Sequence, residues 1–300
     1  MKGLGCKLRS APHKVASFGA IHPVLGIGAA QVPTYATSSN LAPHCIYRLD
    51  QGRSKGCGGH APAVWILIAA SIAGIDLGFV GPPSQRHIYG AARAREAPGT
   101  APLDDSGVEP ADPIFAITEV GVRAMDHGPV PTPDGRMSDV TTAADLVHVG
   151  GLPNVGLRPT ASELATSMRD LIIGAYVIDP LDPNFLALLA ATLTAEKPIA
   201  IALFVDSAFE LWGDQGKTAP LQGAPNFADP KAGGHYVAIV GHQVQPDGSF
   251  AFLILNSWGA LWGCPPPSGG LPGLIWVSGG WLVASATEAY GIDLAVKVAA

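Results

Sequence analysis

The chain has 300 residues, of which 48% are hydrophobic and only 14% charged, against roughly 25% charged in an average soluble protein. Its formal net charge is −6, with 18 basic residues and no Lys/Arg cluster, which argues against nucleic acid as the main partner. Leu, Ile and Val are too plentiful for a disordered chain, and 37 glycines with 27 prolines demand many turns, so one large domain or two lobes around a shared cleft are expected.

In chain order, Lys2, Lys7, Arg9 and Lys14 precede an apolar stretch from Val15 to Ala30 in the manner of a secretory signal, which His22 and Pro23 interrupt. Residues 1–44 therefore read as a leader plus an extended entry segment. From His60 to Ala73 the pattern predicts a helix buried nearly all round, because Trp65, Ile66, Leu67, Ile68 and Ile72 leave no polar face. The apolar run around it is too short to span a bilayer. A second helix is predicted over Ser84–Arg95, with Ser84 as its N-cap. Ala97–Gly107 reads as loop, Ile114–Asp126 as helix, and the Pro- and Gly-rich residues 128–160 as an insertion. Helices are predicted again over Thr160–Ile173 and Phe185–Thr194.

The last third changes to strand patterns at Pro198–Val205, Tyr236–Val244, Phe250–Leu255 and Ile275–Ser278. Helices first and strands after imply an α+β fold with segregated lobes. Residues 45–175 form the helical lobe and 176–300 the β-rich lobe of one domain. The four cysteines are Cys6, Cys45, Cys57 and Cys264, and no pair has metal-ligand spacing. No metal or cofactor is expected, a reduced (cytoplasmic) compartment is the default, and a Cys45–Cys264 bridge stays open.

Two features carry chemistry. Pro246-Asp247-Gly248 is hairpin chemistry, and a turn centred on Asp247 sets His235 opposite about residue 259, close to Asn256. An amide oxygen that accepts from one ring N–H leaves the other imidazole nitrogen for catalysis. Separately, Cys57 lies where a glycine-rich loop from Gln51 enters the buried helix, and a helix N-terminus favours a thiolate.

At these residues the chain resembles the papain-like cysteine peptidases, as a divergent member of bacterial type. Gln51-Gly52 six residues before Cys57, the block Gly233-Gly234-His235-Tyr236, and Asn256-Ser257-Trp258-Gly259 with Trp262-Gly263 stand in that family's order. The resemblance implies a papain-like two-lobed fold: a helical lobe around the cysteine helix, an antiparallel sheet or barrel-like lobe carrying His and Asn, and the site between them. It implies Cys57 as nucleophile, His235 as acid and base, Asn256 as the group orienting His235, and Gln51 as oxyanion donor. Trp258 would shield the His–Asn bond, and Gly234, with Ser106 and Gly107 in a cleft loop, would contact a peptide or protein substrate. His60, His127, His148 and His242 read as structural, and Cys264 as inert.

The chain departs from the pattern in three places. Gly58 stands where the family has an aromatic, with Gly58 and Gly59 read as room for a substrate beside the sulfur. His235 and Asn256 follow Cys57 by 178 and 199 residues, against about 130–150 in the papain type. No long charged prosegment helix precedes Pro33, so the usual autoinhibitory helix is not expected. Two other readings use the same residues: an acyl-transfer or ligase-type relative, and an inactive binding module.

Overall fold

The long buried helix starts one turn before its predicted position. In a computed structural model, which describes residues 4, 6–7, 34–45, 47–77, 82–99, 103–124, 171–259, 261–265 and 272–296, α1 runs Cys57–Ala73. Gly74 ends it in the left-handed region at φ 65°, with its N–H turned back to Ala70 and Ser71. Every residue of α1 from Cys57 to Ala70 is buried apart from the half-buried Leu67. Its central Trp65 donates to the Pro198 carbonyl at 2.8 Å, which ties the helical lobe to the start of a central strand.

Gly58 and Gly59 make the early start possible. A Cβ on Gly58 would sit 2.3 Å from Val108 Cγ2, and one on Gly59 2.2 Å from the Gln85 carbonyl oxygen. The space that side chains at 58 and 59 would take is therefore filled by protein, and an aromatic after Cys57 has no room. Helix α2 (Gln85–Glu96) packs against this face, capped as predicted by Ser84, whose side chain accepts from the His87 N–H. Helix α3 (Ala111–Phe115) continues as one π-helical turn through Val120, where Gly121 at φ 89° ends it. The predicted helix over Ile114–Asp126 thus begins three residues earlier and stops short.

The β lobe is a seven-stranded sheet in the order β2-β7-β3-β4-β5-β6, with β1 paired to β4 beside this path and every pair antiparallel. The strands are β1 (Ser38–Asn40), β2 (Leu171–Ile178), β3 (Ile199–Val205), β4 (Gly233–Val244), β5 (Phe250–Leu255), β6 (Leu274–Ser278) and β7 (Ala286–Val296). β2 and β6 do not join, so the sheet is open rather than barrel-like. Residues 171–173, predicted as a helix end, belong to β2, which pairs with β7 from Leu171↔Val296 to Ile178↔Ala289. Three helices complete the described lobe: α4 (Phe185–Thr194), α5 (Ser207–Asp214) and α6 (Gly279–Ser285).

The β4–β5 hairpin keeps the predicted register from Val244↔Phe250 to Gly241↔Leu253, then slips one residue at Val240 so that Ile239 faces Ile254. This bulge has a cause. The Val240 carbonyl accepts from Leu41 at 2.6 Å, and Gly241 lets β1 approach so closely that a Cβ would meet Ser39 O at 2.7 Å. His242 fastens the same junction, with Nδ1 on the Ser39 hydroxyl and Nε2 on the Ala36 carbonyl, a structural histidine. No helix among the described residues is long and apolar enough to cross a membrane. The apolar stretch 15–30, the insertion 128–160, residues 160–170 of a predicted helix, Asp126, His127 and His148 lie outside the described residues.

Gly59→Ala is expected to cost about 2 kcal/mol or more, because backbone cannot yield to the new methyl, whereas Gly74→Ala, in open space at positive φ, costs about 1 kcal/mol. Urea unfolding of the two variants measures the difference.

Candidate active site

The slipped hairpin carries His235 near the start of β4 to the end of β5, where Asn256 follows the last strand residue. His235 Nε2 and Asn256 Oδ1 lie 2.7 Å apart. Since an amide oxygen only accepts, Nε2 donates, and the tautomer follows. Asn256 Oδ1 also accepts from the Ser257 N–H at 2.8 Å, which fixes the amide's orientation. The other ring nitrogen, Nδ1, is buried and makes no hydrogen bond.

Trp258 covers this pair. Its ring stacks on His235 with centroids 4.8 Å apart and planes at 26°. The indole is held edge-on by Phe209 and Trp262, and Phe209 also stacks on Trp281. Phe209 comes from α5, which Asp206 starts by accepting from the Ala208 and Phe209 N–H groups. Gly213 on the same helix leaves the space that Trp262 fills.

Cys57 is the first residue of α1 and fully buried. Helix α1 packs on β4, so the cysteine and histidine elements face each other across the junction of the lobes. Gln51, six residues upstream, is completely buried. Its amide donates to Ser54 O at 3.0 Å and its oxygen accepts from the Ser257 hydroxyl at 2.6 Å. Backbone pairing of Gln51 N–H with Ser257 O at 2.9 Å reinforces the link. Ser257 therefore joins the Gln51 loop to the Asn256 turn. The sequence places it in a recognised block but offers no signal for that task.

The loop at 104–108 reaches the site through Tyr89. The Tyr89 hydroxyl donates to Asp105 and accepts from the Gly107 N–H, and Asp105 also accepts from the Lys55 N–H. Burial and the Asp105 carboxylate hold the Tyr89 phenol protonated. Ser106 is bonded to the Asp104 carboxylate. The predicted contact residues Ser106 and Gly107 are thus engaged within the loop, and the next residue, Val108, offers its carbonyl to another segment.

What that backbone meets is the N-terminal segment. Lys7 N–H donates to Val108 O at 2.8 Å, and Cys6 N–H donates to Gly234 O at 3.0 Å. Leu4 lies against Gly233 and lines, with Trp258, Arg53 and Lys231, a cavity of about 330 Å³. An extended strap thus lies between the loop of one lobe and the histidine strand of the other. All four cysteines are described and none is in a disulfide, so the Cys45–Cys264 bridge does not form.

Burial lowers the His235 pKa to about 4, the Asn256 bond opposing it and His60 adding to it. His60 stands one turn past Cys57, its Nδ1 bonded to Gly56 O at 2.7 Å. With an unfolded value near 6.5, the unfolded chain binds the extra proton first as pH falls. Stability is therefore expected to drop by roughly 3 kcal/mol between pH 6.5 and 4 from this residue. Urea unfolding across that range, compared with His235→Gln, checks the sign and the size.

No family model matches the chain, and no curated protein matches it. Solved structures do. Xylellain, a cysteine protease from Xylella fastidiosa, superposes with a TM-score of 0.61 at 18% identity, over 97% of each chain. Procathepsin B S9 from Trypanosoma congolense gives 0.59 at 14% identity, over 98% of this chain and 87% of that one. Digestive procathepsin L2 from Tenebrio molitor larval midgut gives 0.56 at 17%, over 97% and 78%. The chain therefore has the papain-like fold, an α+β architecture in which a helical lobe and an open antiparallel sheet meet at the cysteine helix.

Proposed function

We propose that the chain is a cysteine-type peptidase that hydrolyses peptide bonds through a Cys57 thiolate and the His235 imidazole. The observation that carries this reading is the division of labour on one ring. Nε2 is bonded to Asn256, while Nδ1 is buried and unsatisfied on a strand packed against the helix that opens with Cys57. An unpaired buried polar atom costs about 1–3 kcal/mol. A purely structural histidine has no reason to bear that cost; a proton carrier needs the nitrogen unoccupied.

The chemistry then runs in two halves. Cys57 Sγ adds to the scissile carbonyl, and the oxyanion takes hydrogen bonds from the Cys57 backbone N–H and the Gln51 side-chain amide. His235 Nδ1–H protonates the leaving amine, and the C–N bond breaks to leave a thioester. Water then attacks the thioester as His235 removes its proton, and the acid leaves with Cys57 restored. Asn256 keeps the ring edge aimed throughout, Ser257 holds Gln51 and Asn256 in one frame, and Trp258 keeps water off the bond. Gly234 and the loop at Ser106–Val108 receive the substrate backbone once the strap is displaced. Burial under the seated strap favours neutral His235, so the ion pair with Cys57 belongs to the opened cleft.

The test is cleavage of a peptide library by the reduced protein. Cys57→Ser is expected to abolish cleavage, and Gln51→Ala to lower kcat by about 10²–10³-fold with little change in KM. Thiol labelling at Cys57 is expected to outpace Cys264 and to lose that lead in His235→Ala. Absence of any cleavage by the wild type overturns the hydrolase reading.

A further inference from the structure

Cys6 sits where the neighbours of both reactive residues converge. Its N–H is bonded to the carbonyl of Gly234, the residue before His235. On its other side it bridges Val108, whose side chain fills the space over Gly58, the residue after Cys57. The strap is pinned just beyond by Lys7, whose ammonium meets the Glu96 carboxylate at 2.5 Å. Glu96 is itself held by Arg93 and by the Glu109 N–H. Cys6 is thus only 8% exposed, although it belongs to no helix or long strand. Burial raises its thiol pKa well above the ordinary value, and among the charges around it Cys57 acts most strongly. The remaining cysteines are placed elsewhere: Cys45 donates to Tyr47 O at 3.3 Å, and Cys264 pairs with Leu274 at the end of β6.

We propose that Cys6 is a resolving cysteine for Cys57, so that hydrogen peroxide entering the opened cleft leads, once the strap reseats, to a Cys6–Cys57 disulfide. The proposal rests on Cys57 being the reactive thiol of the site. In the first step the Cys57 thiolate attacks a peroxide oxygen, the S–O bond forms, the O–O bond breaks, and the departing hydroxide leaves as water after protonation. In the second step the Cys6 sulfur attacks the Cys57 sulfenic acid. The S–S bond forms, the S–O bond breaks, and the hydroxyl departs as water with the Cys6 proton. Two thiols and one peroxide give one disulfide and two waters. Cys6, kept protonated chiefly by burial, is a poor target for peroxide, and its place in the seated strap sets it next to the site where Cys57 sulfenic acid must be trapped. The product protects Cys57 from irreversible oxidation and fixes the strap over the site until a dithiol reduces it.

The experiment uses the full chain, reduced, desalted and treated with hydrogen peroxide, followed by peptide mapping and by iodoacetamide labelling of an untreated sample. The wild type is expected to yield a Cys6–Cys57 cross-linked peptide and to recover its thiol labelling after dithiothreitol. Cys6→Ser is expected to label as fast as the wild type before treatment. After the same dose its Cys57 should gain two or three oxygens that dithiothreitol does not remove. Wild-type Cys57 that over-oxidises like the variant, or that pairs with Cys45 or Cys264, overturns the proposal. If this happens while Cys57 still outpaces Cys264 in labelling, the resolving role of Cys6 alone fails. If Cys57 labels no faster than Cys264, the peptidase reading fails with it.

Discussion

The 2.7 Å bond between His235 and Asn256 makes demands on most of the β lobe. Both partners are fully or almost fully buried, so neither can be satisfied by water if the strands slip. Slipping a strand by one residue turns its side chains to the opposite face. The register must therefore place a strand residue against the residue that ends its neighbour, and the bulge at Val240 is part of that placement. Gly241 and the Leu41 contact hold the bulge, and β1 with His242 locks it from outside. The His235–Asn256 bond is thus set by a turn, a glycine and a three-residue edge strand.

Around that bond the two lobes are joined by buried polar links rather than by apolar contact alone. Ser257 spans Asn256 and Gln51, and Arg48 donates to the carbonyls of Cys45, Tyr47 and Pro272; within the helical lobe, Asp105 spans Tyr89 and Lys55. Each such bond contributes only about 1 kcal/mol net, but leaving one partner unmade costs more than that. This asymmetry favours a fixed cleft, in which Gln51 and Asn256 cannot turn independently. The aromatic set of Phe209, Trp258, Trp262 and Trp281 performs the same task for the shield over His235.

Features decided by local chemistry were legible in the sequence. The Ser84 cap, the α4 boundaries and the β5 boundaries fall where capping and periodicity place them. The hairpin register followed from its turn to within the one-residue bulge, which depends on β1, too short to leave a pattern. Strand β2 was misread at its start because its identity comes from pairing with β7, more than a hundred residues away. Helices α5 and α6 are seven or eight residues long and too short for periodicity to declare. Gly58 and Gly59 were visible as residues, but their packing use is tertiary: they admit Val108 and Gln85. Ser257 and Cys6 escaped for a related reason, since each acts through a partner distant in sequence.

The strap links access to protonation at the site. With Cys6 bonded to Gly234 and Leu4 against Gly233, water is kept from the strand end that carries His235. Desolvation then favours the neutral ring, and the carboxamide of Asn256 cannot offset it as a carboxylate would. Displacing the strap admits water, and solvation of the ring makes its charged form less costly. The seated strap therefore closes this end of the strand to water and favours the neutral form of His235. The same closure sets Cys6 between the neighbours of His235 and Cys57. Occlusion, charge state and the redox pairing proposed for Cys6 follow from a single placement, an extended segment bonded to Gly234 and Val108.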